Sequence, residues 1–120
     1  LRNLKKGHAV WYGPDQDYGR KHSVFVPFFN IETATITATA RFARISGAQV
    51  ISFTHYRRDD DSGYVIELSK PLENYPSGDE ILDATRINAL IEKAILKAPD
   101  QYWWIHRRFK TRPIGEERPY

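Results

Sequence analysis

The most regular pattern in the chain is an apolar stripe at helical spacing in its second half. The apolar residues recur at intervals that fit a helix: Ile87, Leu90, Ile91, Ala94 and Ala98. This spacing places them on one face of an amphipathic helix. Ser77 and Glu80 precede the stripe at the spacing of a capping box, with Ser77 as the predicted N-cap. Pro99 ends the pattern, so the sequence predicts a long helix with one buried face and a short second helix after it.

Short runs of apolar and β-forming residues predict the strands. They lie at residues 9–12, 23–28, 49–54 and 64–68. The first run ends at Gly13-Pro14, which is a turn signal, and the second contains Pro27, which indicates an edge strand or an irregular end. The charged loop between the last two runs suits an antiparallel hairpin.

Residues 33–46 are compatible with two structures. Ile36, Ala40 and Ala43 have helical spacing, and Gly47 follows them as a stop signal. The threonines alternate as in a strand: Thr33, Thr35, Thr37 and Thr39. We favour a helix over residues 33–46, because the arginine-rich second half has no period of two. The mixture of strands and amphipathic helices indicates an α/β or α+β domain.

Composition narrows the class of protein. The chain has 120 residues, of which 41% are hydrophobic and 13% aromatic, so it suits one folded domain and not a disordered segment. A net charge of +3 is small for a dedicated nucleic-acid binder, and we expect no nucleic-acid partner. The absence of cysteine excludes disulfides and thiolate metal sites. The longest uncharged apolar run, at residues 24–29, is too short to cross a bilayer.

Asp15 and Asp17 are the first candidates for chemistry, because they directly follow a predicted strand. As an Asp-x-Asp pair they suit a metal ion, as in many nucleotide-sugar glycosyltransferases. They also suit the orientation of a catalytic histidine or a basic group. The third interpretation is an ordinary turn rich in Pro, Gly and Asp.

Two further patterns contain basic or histidine side chains. His55 and Asp60 have the His-x4-Asp spacing known from acyltransferases, but they span a strand end and a charged loop, so we interpret the pair as a coincidence. Arg107 and Arg108 belong to the basic cluster at residues 106–112, which directly follows the apolar stretch at residues 102–105. Forked guanidinium groups suit anion recognition, and a basic tail after an aromatic anchor is the alternative.

Four blocks of sequence taken together point to a family. They are Trp-Tyr-Gly-Pro-Asp-Gln-Asp-Tyr-Gly at residues 11–19, Ser-Val-Phe-Val-Pro-Phe-Phe at 23–29, the threonine-rich 33–39, and the segment 98–113. In order and spacing they resemble the C-terminal part of the bacterial lipid A biosynthesis acyltransferases, along essentially the whole chain. Asn30 and Ala38 stand where the family usually has Gly, and Ser52 stands where it often has Pro.

The resemblance implies an α/β domain of the glycerolipid acyltransferase kind, with a mixed sheet flanked by amphipathic helices. It implies transfer of a fatty acyl chain from acyl carrier protein to a Kdo-bearing lipid A precursor (Kdo-lipid IVA) at the cytoplasmic face of the inner membrane, without cofactor or metal. The family's catalytic His-x4-Asp/Glu dyad and anchoring helix belong to its N-terminal half. We therefore expect residues 1–120 to be the C-terminal part of a single acyltransferase domain, with no catalytic residue and no activity alone.

The resemblance also suggests roles for four residues. Asp15 and Asp17 are expected to shape and charge the active-site cleft, for example by pairing with an arginine of the N-terminal half. Arg107 and Arg108 are expected to contact anionic substrate groups or to hold the C-terminal segment against the core. The alternatives are a related acyltransferase acting on another glycolipid such as a phosphatidylinositol mannoside, a metal-dependent glycosyltransferase using the two aspartates, and a binding module whose tail docks on membrane or nucleic acid.

Overall fold

The structure is a computed structural model that describes residues 1–120. Its elements, in chain order, are α1 (Arg2–Lys5), β1 (Ser23–Phe28), β2 (Ile31–Ile36), α2 (Ala38–Ser46), β3 (Phe53–Arg57), β4 (Tyr64–Leu68) and α3 (Glu80–Ile95). Two short 3-10 turns follow, at Pro99–Gln101 and Trp104–His106. The expected α/β class is confirmed. None of the helices has both the length and the apolar character needed to cross a membrane.

The four strands form two antiparallel hairpins, where the sequence suggested one mixed sheet. In the first hairpin Val26 of β1 pairs with Thr33 of β2. Its two-residue loop has positive φ at both positions, 49° at Phe29 and 60° at Asn30, as in a type I′ turn. Asparagine tolerates this left-handed conformation, so Asn30 can occupy the second position of the loop without a glycine. The second hairpin joins β3 and β4, as predicted.

The core lies between the first hairpin and α3. Val26 and Phe28 of β1 and Ala34 of β2 are almost fully buried, and α3 packs across them with Ala84 and Ile87. Thr33, Ala34 and Thr35 are all buried in succession. Because side chains alternate between the two faces of a strand, both faces of β2 are covered.

The helix predicted over residues 33–46 is wrong in its first third. Residues 31–36 form β2, and α2 begins only at Ala38. The threonine hydroxyls explain why this polar strand can be buried: Thr33 Oγ1 donates to the Ile31 carbonyl at 2.7 Å, and Thr35 Oγ1 donates to the Thr33 carbonyl at 3.2 Å. The predicted stop is confirmed, since Gly47 ends α2 with a φ of 69°.

Two strand predictions also need correction. Residues 9–12 form no strand, and Trp11 is 77% exposed, because no neighbouring strand of this chain offers hydrogen bonds to that segment. The strand expected at residues 49–54 begins only at Phe53 and continues to Arg57. Its side chains alternate between exposed and half-buried, which is typical of a hairpin covered on one face only.

The long helix is confirmed, but its cap lies two residues later than predicted. Asp79 is the N-cap, and its Oδ1 accepts hydrogen bonds from the backbone N–H groups of Ile81 at 2.9 Å and Leu82 at 3.1 Å. Ser77 instead donates its backbone N–H to the buried carboxylate of Asp83. Asp79 directly precedes the first helical residue, Glu80, so its carboxylate and not the Ser77 hydroxyl reaches the free N–H groups of the first turn.

Candidate functional site

Asp17 ties the turn after residues 9–12 to the C-terminal segment. Its side chain is buried, and its two oxygens accept one hydrogen bond each: Oδ1 from the Gly19 N–H and Oδ2 from the Thr111 N–H, both at 2.8 Å. The second bond joins residues 94 positions apart in the chain. Because both oxygens are engaged by N–H donors, this geometry argues against a metal ion shared between Asp15 and Asp17, as the glycosyltransferase alternative requires. No group of three or more metal-binding side chains is present elsewhere.

Substitution of Asp17 by asparagine tests this tie. Asparagine keeps one acceptor oxygen but sets an amide N–H against a backbone N–H, so one donor loses its partner. We expect the free energy of unfolding to fall by about 1–3 kcal/mol, measured by urea denaturation of the purified protein. Asp59→Asn, in the exposed loop after β3, is the matched control for loss of a carboxylate. Equal free energies of unfolding in the two variants would show that the hydrogen bond between Asp17 and Thr111 does not stabilise the fold.

Arg108 is a buried cation at the centre of the fold, with 1% of its surface exposed. Its Nη1 donates to the Ala34 carbonyl at 2.7 Å, and its Nη2 donates to Thr35 Oγ1 at 2.9 Å and to Asn88 Oδ1 at 3.3 Å. The guanidinium also lies over the Phe28 ring, 4.9 Å from its centroid. Burial lowers the pKa of Arg108, while the nearby Tyr102 and the carboxylates of Asp17 and Asp15 oppose that change. This arrangement suits the role of holding the C-terminal segment against the core.

Asn88 is a site residue that the sequence patterns did not reveal. It is 1% exposed on α3, and its Nδ2 donates to the Pro27 carbonyl at 2.8 Å and to Thr35 Oγ1 at 3.0 Å. With Thr35 and Arg108 it forms a polar network inside the core. The signal that was available is its position: Asn88 lies one turn after Ala84 and next to Ile87, on the buried face of the helix.

Asp15 lies on the wall of a groove of about 300 Å³. The groove is bounded by four parts of the chain: residues 11–15, residues 52–56, α3 and residues 101–103. Most of the lining is apolar, with Trp11, Phe53 and Leu90 among its members. Asp15 therefore places a carboxyl group beside an apolar channel, while Asp17, two residues on, is turned into the protein.

Tyr102 and His106 lie next to Asp15 and form a second polar cluster. The Tyr102 hydroxyl is 3.1 Å from His106 Nε2 and 3.4 Å from the Asp15 backbone carbonyl oxygen. Burial raises the pKa of the Tyr102 hydroxyl well above its ordinary value, with the Asp15 charge acting in the same direction. Burial also lowers the pKa of the His106 imidazole, against the opposing charge of Asp15.

The other candidates from the sequence, Arg107 and the pair His55 and Asp60, lie outside this cluster. Arg107 is exposed and has a φ of 54°, so its side chain leaves the fold where that of Arg108 enters it. His55 lies on β3 and lines the groove, whereas Asp60 lies in the following loop and accepts a hydrogen bond from the Ser62 N–H. No hydrogen bond joins His55 to Asp60, in keeping with the interpretation of their spacing as a coincidence.

Comparison with known proteins decides the family. Residues 1–111 match the model of the bacterial lipid A biosynthesis acyltransferases. The chain belongs to this family. That membership confirms the resemblance carried by the four sequence blocks, and the match includes Asp15, Asp17, Arg107 and Arg108.

Several members of the family are similar to the chain over almost its whole length. The chain is 52% identical over 118 residues to the lipid A biosynthesis palmitoleoyltransferase of Escherichia coli K12, covering 98% of this chain and 38% of that relative. It is 46% identical over 121 residues to the lauroyltransferase of the same organism, covering 100% and 40%. The myristoyltransferase of that organism is 32% identical over 120 residues, covering 100% and 37%. The chain thus spans two fifths or less of the length of these relatives.

Proposed function

We propose that this chain is the C-terminal portion of a lipid A acyltransferase, which moves a fatty acyl chain from acyl carrier protein to a Kdo-bearing lipid A precursor. The observation that carries the proposal is the 52% identity to a palmitoleoyltransferase of lipid A biosynthesis over 98% of the chain. Relatives named for palmitoleoyl, lauroyl and myristoyl transfer all align with 98–100% of its length. These names share the reaction type and differ in the acyl group.

The groove supports an acyl substrate. A mostly apolar groove bordered by a carboxyl group offers a hydrocarbon chain an apolar surface and offers the reacting end a polar neighbour. Asp15 is the residue of this chain that we assign to that polar neighbour. Asp17 and Arg108 keep the surrounding segments in place from inside the fold, and the exposed Arg107 is free to contact an anionic group of the substrate.

The proposed reaction is direct transfer between two substrates. A histidine of the N-terminal portion takes the proton from a hydroxyl group on an acyl chain of the lipid acceptor, and the oxygen attacks the carbonyl carbon of the thioester. The tetrahedral intermediate collapses with loss of the carrier thiolate, which takes up a proton, so that one ester forms and one thioester breaks. In this scheme Asp15 shapes and charges the cleft from the C-terminal side, and no acyl-enzyme forms.

The lipid substrate implies a membrane surface as the place of reaction. We propose the cytoplasmic face of the inner membrane, with the anchoring helix in the N-terminal portion. The exposed side chains of Trp103 and Ile105, at 71% and 79%, offer an apolar surface on this portion as well. Tryptophan is enriched where proteins meet the headgroup region, and an exposed aliphatic side chain beside it can enter the boundary with the acyl chains.

The test is a transfer assay with the full-length protein in detergent. Incubated with acyl-acyl carrier protein and Kdo-lipid IVA, it is expected to increase the lipid mass by one acyl chain, as read by mass spectrometry. The 120-residue chain by itself is expected to transfer nothing, because the proposed proton acceptor lies outside it. Transfer of a sugar from a nucleotide donor with Mn²⁺, and no acyl transfer, would instead support the glycosyltransferase alternative.

A further inference from the structure

Tyr102 and His106 make a contact that the proposed acyl transfer leaves unexplained. Tyr102 precedes the second 3-10 turn, and His106 is the last residue of that turn. Their rings pack edge to face, with centroids 5.3 Å apart. The Tyr102 hydroxyl is 3.1 Å from His106 Nε2. On its other side the same hydroxyl is 3.4 Å from the backbone carbonyl oxygen of Asp15. Tyr102 therefore stands between the histidine and the turn that carries the candidate carboxylate.

The hydroxyl has one proton, which either His106 Nε2 or Asp15, through its carbonyl or its carboxylate, could accept. The distance to Nε2 is ordinary for a hydrogen bond, whereas 3.4 Å to the Asp15 carbonyl is long for an O–H donor. With an unprotonated Nε2, the Tyr102 hydroxyl donates to His106 and leaves the Asp15 carbonyl. With a proton on Nε2, the imidazole becomes the donor, and the hydroxyl is free to donate to Asp15.

We propose that Tyr102 is a positioning residue for the Asp15 turn, and that the proton on His106 Nε2 decides whether the Tyr102 hydroxyl holds that turn. The proposal rests on the proposed function in taking Asp15 as a site residue. Holding the Asp15 carbonyl orients the carboxylate at the groove, and releasing it lets the turn move away from the C-terminal segment.

The charges around His106 determine the pH at which this happens. Burial is the main cause that lowers its pKa, and the cations Arg108 and Lys110 act in the same direction, while the Asp15 carboxylate and carbonyl oppose them. The lowered pKa makes the neutral imidazole the main form at pH 7, with the Tyr102 hydroxyl turned toward His106. Because burial raises the pKa of Tyr102, its hydroxyl keeps its proton throughout. Acidification protonates His106 and turns the hydroxyl toward Asp15.

The first experiment follows kcat of the full-length enzyme against pH for wild type and Tyr102→Phe, which removes only the hydroxyl. The ratio of the two values cancels the titration of groups elsewhere. We expect a ratio near one above the pKa of His106 and a ratio of about 10 below it, because misplacing a site group costs activity. In a His106→Gln background the ratio is expected to be independent of pH. A ratio that is constant with pH in the wild-type background would overturn the proposal.

Tyr64→Phe is the matched control, because Tyr64 is 67% exposed on β4 and has no part in the proposed site. Its ratio to wild type is expected to stay near one at every pH. A purely structural role for Tyr102 would lower kcat by the same factor over the whole range, and would not produce the step.

A second measurement reads the hydrogen bond without using activity. In the ¹⁵N-histidine NMR spectrum of the full-length protein, neutral His106 is expected to carry its proton on Nδ1. In Tyr102→Phe the neutral imidazole loses the donor to Nε2, so the preference for the Nδ1-protonated tautomer is expected to weaken in that variant. A neutral wild-type form with the proton on Nε2, or the same tautomer preference in both proteins, would overturn the proposal. If the NMR spectra agree with the expectation but no acyl transfer is found, the proposed function is wrong, whereas the proposed dependence of the Tyr102 hydrogen bond on the His106 proton is supported.

Discussion

The Arg108→Met variant is expected to lose roughly 3–5 kcal/mol of unfolding free energy, the largest effect we predict for any single substitution in this chain. Methionine fills the space of the side-chain stem but donates no hydrogen bond. The Ala34 carbonyl and the Asn88 amide oxygen would lose their guanidinium donor in a place from which water is excluded. The buried carboxylate of Asp17 would also lose the nearby positive charge that offsets it.

Arg107→Met provides the matched comparison, because it makes the same chemical change one residue earlier, at an exposed position. Urea denaturation of the full-length protein, followed by circular dichroism, is expected to show its stability within about 0.5 kcal/mol of wild type. Similar losses in both variants would mean that the charge of the C-terminal segment matters and that the buried network does not. A stable Arg108→Met protein with reduced binding of the lipid would favour a direct role in anion recognition.

The Asp15→Asn variant is expected to show the opposite combination, with stability retained and activity lost. Its kcat/KM for acyl transfer is expected to fall about 100-fold, because a charged group beside the reacting atoms acts on a reaction in which charge develops. Asparagine keeps the size of the side chain and the backbone carbonyl that contacts Tyr102. The loss would therefore come from the charge alone.

The measurement compares initial rates of acyl transfer by the full-length enzyme with unfolding curves of the same preparations. Asp59→Asn removes a carboxylate from an exposed loop and is expected to leave both quantities unchanged. Unchanged transfer by Asp15→Asn would remove this residue from the proposed site. Equal losses of activity in Asp15→Asn and Asp17→Asn, together with equal losses of stability, would show that the turn acts only through its fold.

Much of the architecture could be predicted because it depends on local patterns. The apolar stripe on α3, the stop at Gly47 and the hairpin of β3 and β4 all follow from spacing, turn residues and β-propensity. The prediction was wrong over residues 33–37, where alternating threonines were taken for part of a helix. Threonine is β-branched and is enriched in strands, so the alternation was the correct signal, and β2 is buried on both faces.

The candidate site divides in the same way. The sequence alone identified Asp15, Asp17, Arg107 and Arg108 as candidate site residues. The four blocks of sequence, two of which contain these residues, were enough to indicate the family. Sequence could not tell the two aspartates or the two arginines apart, because neighbours in the chain share their composition and motif. The structure separates them: Asp17 and Arg108 are turned inward, whereas Asp15 faces the groove and Arg107 faces solvent.

Only the tertiary structure shows which groups Asn88, Tyr102 and His106 contact. Each of them acts on a residue that is distant in the chain: Asn88 on Thr35, Tyr102 on Asp15, and His106 through Tyr102. Periodicity and capping rules describe contacts between residues a few positions apart. They do not predict which buried polar groups form hydrogen bonds across the core. The sequence by itself determined the family, the main helix and the residues worth testing. Which of those residues hold the fold and which face a substrate was decided by burial, since a polar group taken from water must find its partner inside.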